Sequence, residues 1–206
     1  VAILDCSNVA YPERLLGKVG RIYLARGYIA PRHMLNGARR QLMRDFLEKK
    51  GMEVKVPRGI PERMAAARAG VAGYGRNGFI YCGEIGSFVL AITFLVSADL
   101  EYDQPDWSID CPENCTACMD ACPTGALYEP MRINPRRCIA YNSFNTIDGY
   151  PGCTSYIPPD IREKMGTWIH GCDICQQVCP RNRKRLKAKM LPDLFLEKIA
   201  RSFDLA

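Results

Sequence analysis

The sequence predicts an α+β fold in two unlike parts, and three observations carry that expectation. Up to about residue 105, amphipathic helical stretches alternate with short apolar runs rich in β-branched and aromatic residues. From Glu101 to Pro180 the composition shifts to Cys, Pro, Asp and Asn, with only short helical pieces. Most of the eleven cysteines lie between Cys111 and Cys179. A region of that kind buries little apolar surface, so something other than a hydrophobic core must hold it together.

In the first part, Met34, Leu35, Ala38, Leu42, Met43, Phe46 and Leu47 recur at three- and four-residue steps. They predict an amphipathic helix from Pro31 to Lys50, closed by Gly51. Met52 to Val56 alternates as a strand does, and Pro57 ends it. Pro61 to Ala69 reads as a second helix, with Pro in its first turn and Gly70 after its end. Phe79–Cys82 and Phe88–Val96 read as buried strands joined by a Gly-containing turn at 83–87. From Arg181 the pattern is helical again. Leu191, Leu194, Phe195, Ile199 and Phe203 form an apolar stripe expected to dock on the rest of the protein.

A hydrophobic content of 48% and a charged content of 24% are those of an ordinary soluble globular protein. The longest apolar stretch, 88–96, is far too short to span a bilayer. Asp5 and Asn8 interrupt the apolar opening, so no signal peptide is expected there. An odd number of clustered cysteines argues for metal rather than disulfides, and hence for a reducing, cytoplasmic setting.

The cysteines fall into two motifs. One is Cys111-Pro-Glu-Asn-Cys115-Thr-Ala-Cys118-Met-Asp-Ala-Cys122-Pro123, the other Cys172-Asp-Ile-Cys175-Gln-Gln-Val-Cys179-Pro180. Both end in C-x2-C-x3-C-P, the terminal run of bacterial two-cluster ferredoxins. Close thiolates wrap one corner of a cubane, and the last Cys points away towards a second cluster. Zinc would explain paired C-x2-C units but neither the C-x3-C-P extension nor its repetition. Two [4Fe–4S] clusters are therefore expected. Their eight thiolates bring eight negative charges and two oxidised cores return about four positive, so the formal +6 falls near +2 in the loaded chain. Net charge then gives no general reason to bind nucleic acid.

By the cross-over rule Cys179 completes the set of Cys111, Cys115 and Cys118. Cys122 joins Cys172 and Cys175, which leaves one place open. Cys138, at what reads as a helix start, and Cys153 are the candidates. His170 is an alternative, read more simply as a neighbour of a ligand. Cys6 and Cys82 read as core thiols, and His33 and Trp107 as structural residues.

Other residues extend the picture. Ile60-Pro-Glu-Arg-Met-Ala-Ala-Ala-Arg-Ala-Gly70, Gly73-Tyr-Gly-Arg-Asn-Gly78 and Gly86-Ser87 resemble the epoxyqueuosine reductases. So do Ala121-Cys-Pro-Thr-Gly-Ala126, Arg137-Cys138-Ile-Ala-Tyr141 and Gly171-Cys-Asp-Ile-Cys-Gln-Gln-Val-Cys-Pro-Arg-Asn182. The resemblance covers roughly residues 20–185, with the corrinoid-dependent reductive dehalogenases as more distant relatives. It implies a partial nitroreductase-like α/β layer (1–105), a ferredoxin-like two-[4Fe–4S] module (106–185) and a C-terminal helix (186–206). It assigns Cys111, Cys115, Cys118 and Cys179 to one cluster and Cys122, Cys138, Cys172 and Cys175 to the other. It also implies a cobalamin, faced by the loop of Gly73, Gly75, Arg76 and Asn77, with Cys138–Tyr141 lining the same cavity. The family's proton-donating Asp has no counterpart in Val56-Pro-Arg-Gly-Ile-Pro61, and Tyr141 is the substitute proton donor. The Cys111–Cys115 gap is one residue longer than usual, and the family's C-terminal helical domain has no counterpart in these residues.

By letters, Gly73-x-Gly75-x-x-Gly78 is also a dinucleotide fingerprint. It lacks the preceding strand and following helix that the fingerprint requires. Arg181, Arg183, Lys184, Arg185, Lys187 and Lys189 put six positive charges into nine residues. They read first as a solvated face, then as a docking site for an acidic redox partner, and last as an RNA contact. Two functions follow: a reductase feeding a corrinoid or small organic acceptor, or an electron-transfer module serving a partner protein.

Overall fold

The structure is a computed structural model, and it describes residues 1–25, 32–107, 111–144 and 156–202. Its strands are β1 (Ala2–Asp5), β2 (Val54–Lys55), β3 (Gly73–Tyr74), β4 (Ile80–Tyr81), β5 (Val89–Ile92), β6 (Leu95–Val96), β7 (Leu127–Glu129) and β8 (Arg132–Ile133). Its α-helices are α1 (Arg21–Leu24), α2 (Arg32–Lys49), α3 (Glu62–Arg68), α4 (Ala117–Asp120), α5 (Ile139–Phe144), α6 (Pro159–Met165), α7 (Ile174–Gln177), α8 (Arg183–Lys187) and α9 (Leu194–Ser202). Mixed helices and short strands make the fold α+β, as the composition predicts.

The strands pair two by two, all antiparallel: β1 with β5, β2 with β6, β3 with β4 and β7 with β8. β1 runs along β5 with Ala2 opposite Ile92 and Asp5 opposite Val89. The two apolar runs therefore do not pair with each other. A 3-10 turn at Gly83–Ile85 and Gly86 at φ 79° redirect the chain between them. The second run also breaks into β5 and β6, and β6 turns to meet β2.

The small faces of Ala66 and Ala72 let α3 and the following turn settle on this layer, in a core of Ile80, Cys82, Val89 and Ala91. Helix α2 forms as predicted and Gly51 stops it at φ 84°, a left-handed conformation that glycine adopts without strain. Its expected core face is only partly covered. Leu42 and Phe46 are 69% and 56% exposed, and the Lys50 ammonium lies 5.9 Å from the Phe46 ring centre.

A second core joins the two ends of the described chain. Leu15, Val19 and Leu24 pack against Leu196 and Ala200 of α9, with Phe195 and Ile199 beside them. The tail docks, but on a different stripe from the expected one, since Leu191 and Leu194 are both exposed. Phe203 lies outside the described residues. A third core of Ile139, Ile161, Met165 and Trp168 supports Cys172 and Ile174. No helix among the described residues is long and apolar enough to cross a membrane.

Candidate iron–sulfur centre

Each cysteine motif opens into a short helix, α4 after Cys115 and α7 after Cys172, and the two helices pack against each other. The packing brings the eight predicted thiols into two groups. Cys111, Cys115, Cys118 and Cys179 line one small, partly open cavity, with Arg76, Asn77 and Tyr81 on its wall. Cys122, Cys138, Cys172 and Cys175 line another of about 40 Å³, walled by Leu127, Ile133, Ile139 and Ile174. Among the described residues no three His, Cys, Asp or Glu side chains converge tightly enough to hold one metal ion. Cys153 lies outside the described residues.

The thiols act on one another within these sets. Burial raises the Cys118 pKa, and the charges of Cys179, Cys111 and Cys115 raise it further. Burial pushes Cys172 up to about 12, with Cys138, Asp173 and Cys122 adding to the rise. Cys175 stands well above its ordinary value, through burial first and then Cys172 and Cys138. Ionised together, such thiols need a cationic group between them. N–H donors are already turned towards the sulfurs. The Arg76 N–H donates to Cys111 Sγ at 3.4 Å. Burial alone would raise Cys122, yet the Leu127, Ala126 and Thr124 amides and the Thr124 hydroxyl bring it below its usual value. The amides of Tyr141 and Ala140 do the same for Cys138, although burial outweighs them. Two sets of four soft sulfur donors with amides at their sulfurs fit an iron–sulfur cluster in each cavity.

The Gly73–Gly78 loop has a role that spacing alone does not show. Arg76 Nη1 donates to the Cys115 carbonyl at 2.9 Å, and the Met131 N–H donates to the Arg76 carbonyl at 2.7 Å. Asn77 Nδ2 donates to the Tyr81 hydroxyl at 2.9 Å and to the Cys175 carbonyl at 3.1 Å. One loop thus grips both cysteine motifs. Its glycines are needed for contacts inside the protein: a Cβ on Gly75 would lie 2.4 Å from the Tyr81 ring, and one on Gly73 would lie 2.6 Å from Asp106 Oδ2. Tyr74 packs into the first core, and the Arg63 guanidinium covers Phe79 at 4.9 Å.

The loop and the Cys138–Tyr141 segment border different thiol cavities. Arg76 and Asn77 line the first cavity, whereas Cys138 and Ile139 line the second. Tyr141 is 44% exposed on α5 and gives only its amide to Cys138. His170 lines neither cavity and packs edge-on against Tyr23 at 4.8 Å. Trp107 is half-exposed, Cys6 and Cys82 are buried in the α/β part, and the His33 side chain lies outside the described residues.

Two buried features escaped the sequence. Asp173, between two cysteines, accepts from the Arg21 N–H at 2.7 Å. Burial pushes its carboxyl up to about 6, against the pull of that N–H and of the Arg21 guanidinium. Asn182 Nδ2 donates to Ser87 Oγ and to the Gln176 carbonyl, each at 2.8 Å, and its Oδ1 accepts from the Ser87 N–H at 2.9 Å. Ser87 Oγ donates in turn to Gln176 Oε1 at 2.9 Å. The network fastens the Gly86–Ser87 turn to the second motif. The basic run is also less free than its letters suggest. Arg181 stacks on Tyr81 at 4.2 Å, Lys184 pairs with Glu84, and Arg185 pairs with Asp5 and Ser7.

Residues 111–182 match the 4Fe-4S double cluster binding domain. The chain is 32% identical to the epoxyqueuosine reductase of Staphylococcus aureus (strain NCTC 8325 / PS 47) over 187 residues, which is 85% of this chain and 47% of that protein. It superposes on the Bacillus subtilis epoxyqueuosine reductase, solved with its catalytic loop swung out of the active site, with a TM-score of 0.64 at 34% identity. That match covers 78% of this chain and 42% of the other. An epoxyqueuosine reductase solved with an epoxyqueuosine-modified tRNA-Tyr stem loop gives 0.63 at 34% identity, with the same coverage. The chain spans between 31% and 56% of the length of the curated relatives it matches. In its cysteine spacing, its sequence and its fold, this chain resembles the epoxyqueuosine reductases over the part of them that it spans, and it carries their double-cluster [4Fe–4S] binding domain.

Proposed function

We propose that this chain is the iron–sulfur part of a reductase whose acceptor is a modified tRNA nucleoside. The observation that carries the reading is the pair of four-thiol cavities held by one loop, in a chain related to epoxyqueuosine reductases. Cys111, Cys115, Cys118 and Cys179 hold one cluster, and Cys122, Cys138, Cys172 and Cys175 the other. When bound, such clusters supply one-electron transfer at low potential. The residues around them do three things. Arg76 and the amides near Cys122 and Cys138 stabilise thiolate charge. Leu127, Ile139 and Ile174 keep water from one cavity, and Tyr81 borders the other. Asn77, Asn182 and Gln176 fix the two motifs relative to the α/β layer.

In this reading residues 1–105 are the remnant of a nitroreductase-like layer, 106–185 the cluster module and 186–206 a docking helix. The RNA expectation gains support from the relative solved with a tRNA stem loop. Among the described residues, no cavity shared by the Gly73–Asn77 loop and Cys138 supports a corrinoid acceptor. Arg76 and Asn77 line one thiol cavity and Cys138 the other, while Gly73, Tyr81 and Asp106 border a separate open cleft. Tyr141, exposed next to Cys138 in sequence, is the proton donor we assign to an acceptor bound outside.

The second reading is an electron-transfer module serving a partner protein. It is favoured by the absence of any carboxylate in Val56–Pro61, where the family keeps its proton donor. One experiment separates the two. Loaded, anaerobic protein is bleached with a stoichiometric reductant and mixed with an epoxyqueuosine-bearing stem loop. Recovery of visible absorbance with formation of the reduced nucleoside is expected. No recovery, with a protein acceptor still reoxidising the chain, would leave the second reading standing.

A further inference from the structure

Between the two motifs, the chain leaves the interior entirely from Tyr128 to Arg137: all ten residues are exposed. This is the β7–β8 hairpin and the 3-10 turn that leads into Cys138. Its side chains are not those of an ordinary polar turn. Tyr128, Met131 and Ile133 are all at least 40% exposed, an apolar group held away from every core. Arg132, Arg136 and Arg137 surround them, against a single acidic residue, Glu129, which pairs with Arg132 at 3.3 Å. Aromatic, Met and Arg side chains with few acids are the composition of protein interfaces. Met131 sits at φ 61° and its amide is tied to the Arg76 carbonyl, so the tip is held in place.

Position makes this patch more than a stray apolar surface. Ile133 is at once 45% exposed and part of the wall of the second thiol cavity, and Leu127 lines that wall from within. A partner seated on the hairpin is therefore separated from the cavity by one side chain. The rival basic segment is partly used up internally. Arg181, Lys184 and Arg185 are engaged with Tyr81, Glu84 and Asp5, which leaves Arg183, Lys187 and Lys189 standing out.

We propose that the Tyr128–Arg137 face is where an acidic one-electron carrier protein docks, with Tyr128, Met131 and Ile133 at the centre and Arg132, Arg136 and Arg137 at the rim. The proposal rests on the iron–sulfur reading above and names the donor for it. The carrier loses one electron and this chain gains one. No bond and no proton moves.

The test uses the anaerobically loaded protein and a plant-type ferredoxin as the acidic probe, with affinity measured by calorimetry. Arg132→Glu/Arg136→Glu is expected to weaken binding about tenfold at low salt, and the difference should shrink at about 0.5 M salt as screening shortens. Both side chains are solvent-facing, and far-UV dichroism and iron content report whether the variant keeps its fold. Arg183→Glu/Lys187→Glu/Lys189→Glu is expected to change affinity less than about threefold. Three results would overturn the proposal: no binding by the wild type, unchanged affinity in the hairpin variant, or loss confined to the tail variant. Dithionite bleaching distinguishes the underlying reading. A wild type that dithionite cannot bleach removes the iron–sulfur function itself. Equal bleaching of all three proteins with unchanged hairpin binding overturns only the docking face.

Discussion

Cys138→Ala is expected to cost the protein one of its two clusters, or to leave that cluster as a three-iron species. Iron content should fall from about eight to between about four and seven per chain. The expectation rests on geometry as well as on kinship. Cys138 faces the cavity of Cys122, Cys172 and Cys175, and its charge raises the pKa of both Cys172 and Cys175. Serine at this position is a harder, poorer ligand and should show the same loss in weaker form. Cys153→Ala should leave both clusters intact. Anaerobic iron and sulfide analysis with electron paramagnetic resonance checks the pair. Two intact clusters in the Cys138 variant would show that the family's ligand set does not carry over to this chain.

Asn182→Ala should be the most damaging change away from the cysteines. The side chain is fully buried, and its loss strips three hydrogen bonds at once. The Ser87 N–H and the Gln176 carbonyl would be left in an interior where water cannot replace the partner. Each orphaned buried group costs roughly 1–3 kcal/mol, so a total of about 3–4 kcal/mol is expected. For a chain of this size that corresponds to roughly 10 °C in apparent Tm. Gly86→Ala should fail at the same seam, because a Cβ there would sit 2.3 Å from Asn182 Oδ1 at a backbone φ of 79°. As a control, Lys184→Ala removes only an exposed pair with Glu84 and should leave the midpoint unchanged within error. Anaerobic thermal melts followed by near-UV dichroism give the comparison. An Asn182→Ala melt that overlays the wild type would mean that the seam contributes nothing to stability.

These residues also show where reading the sequence succeeds and where it stops. Helix α2 was legible to within a residue because its signals are local: a 3.6-residue period and a glycine stop. The two cysteine motifs were legible because cluster ligation restricts spacing tightly, but spacing left the eighth place open between Cys138 and Cys153, and only the resemblance named Cys138. Which apolar stripe of the tail faces inward was not legible. Leu194, Phe195, Leu196, Ile199 and Ala200 satisfy more than one helical register, and only the position of Leu15, Val19 and Leu24 selects Leu196 and Ala200. The partners of Asp173 and Asn182 lie 152 and 95 residues away along the chain, and no local pattern can name them. The Gly73–Gly78 loop was legible only in part. Its glycines mark a close approach to Tyr81 and Asp106, contacts that the spacing of the letters does not name.

Everything proposed for this chain depends first on eight cysteines holding two cubanes. Anaerobic purification or reconstitution, followed by iron, acid-labile sulfide and zinc analysis on one sample, tests that directly. About eight iron and eight sulfide per chain, with a broad visible absorbance that dithionite bleaches, is the predicted result. One tightly bound zinc per chain with no sulfide would contradict it.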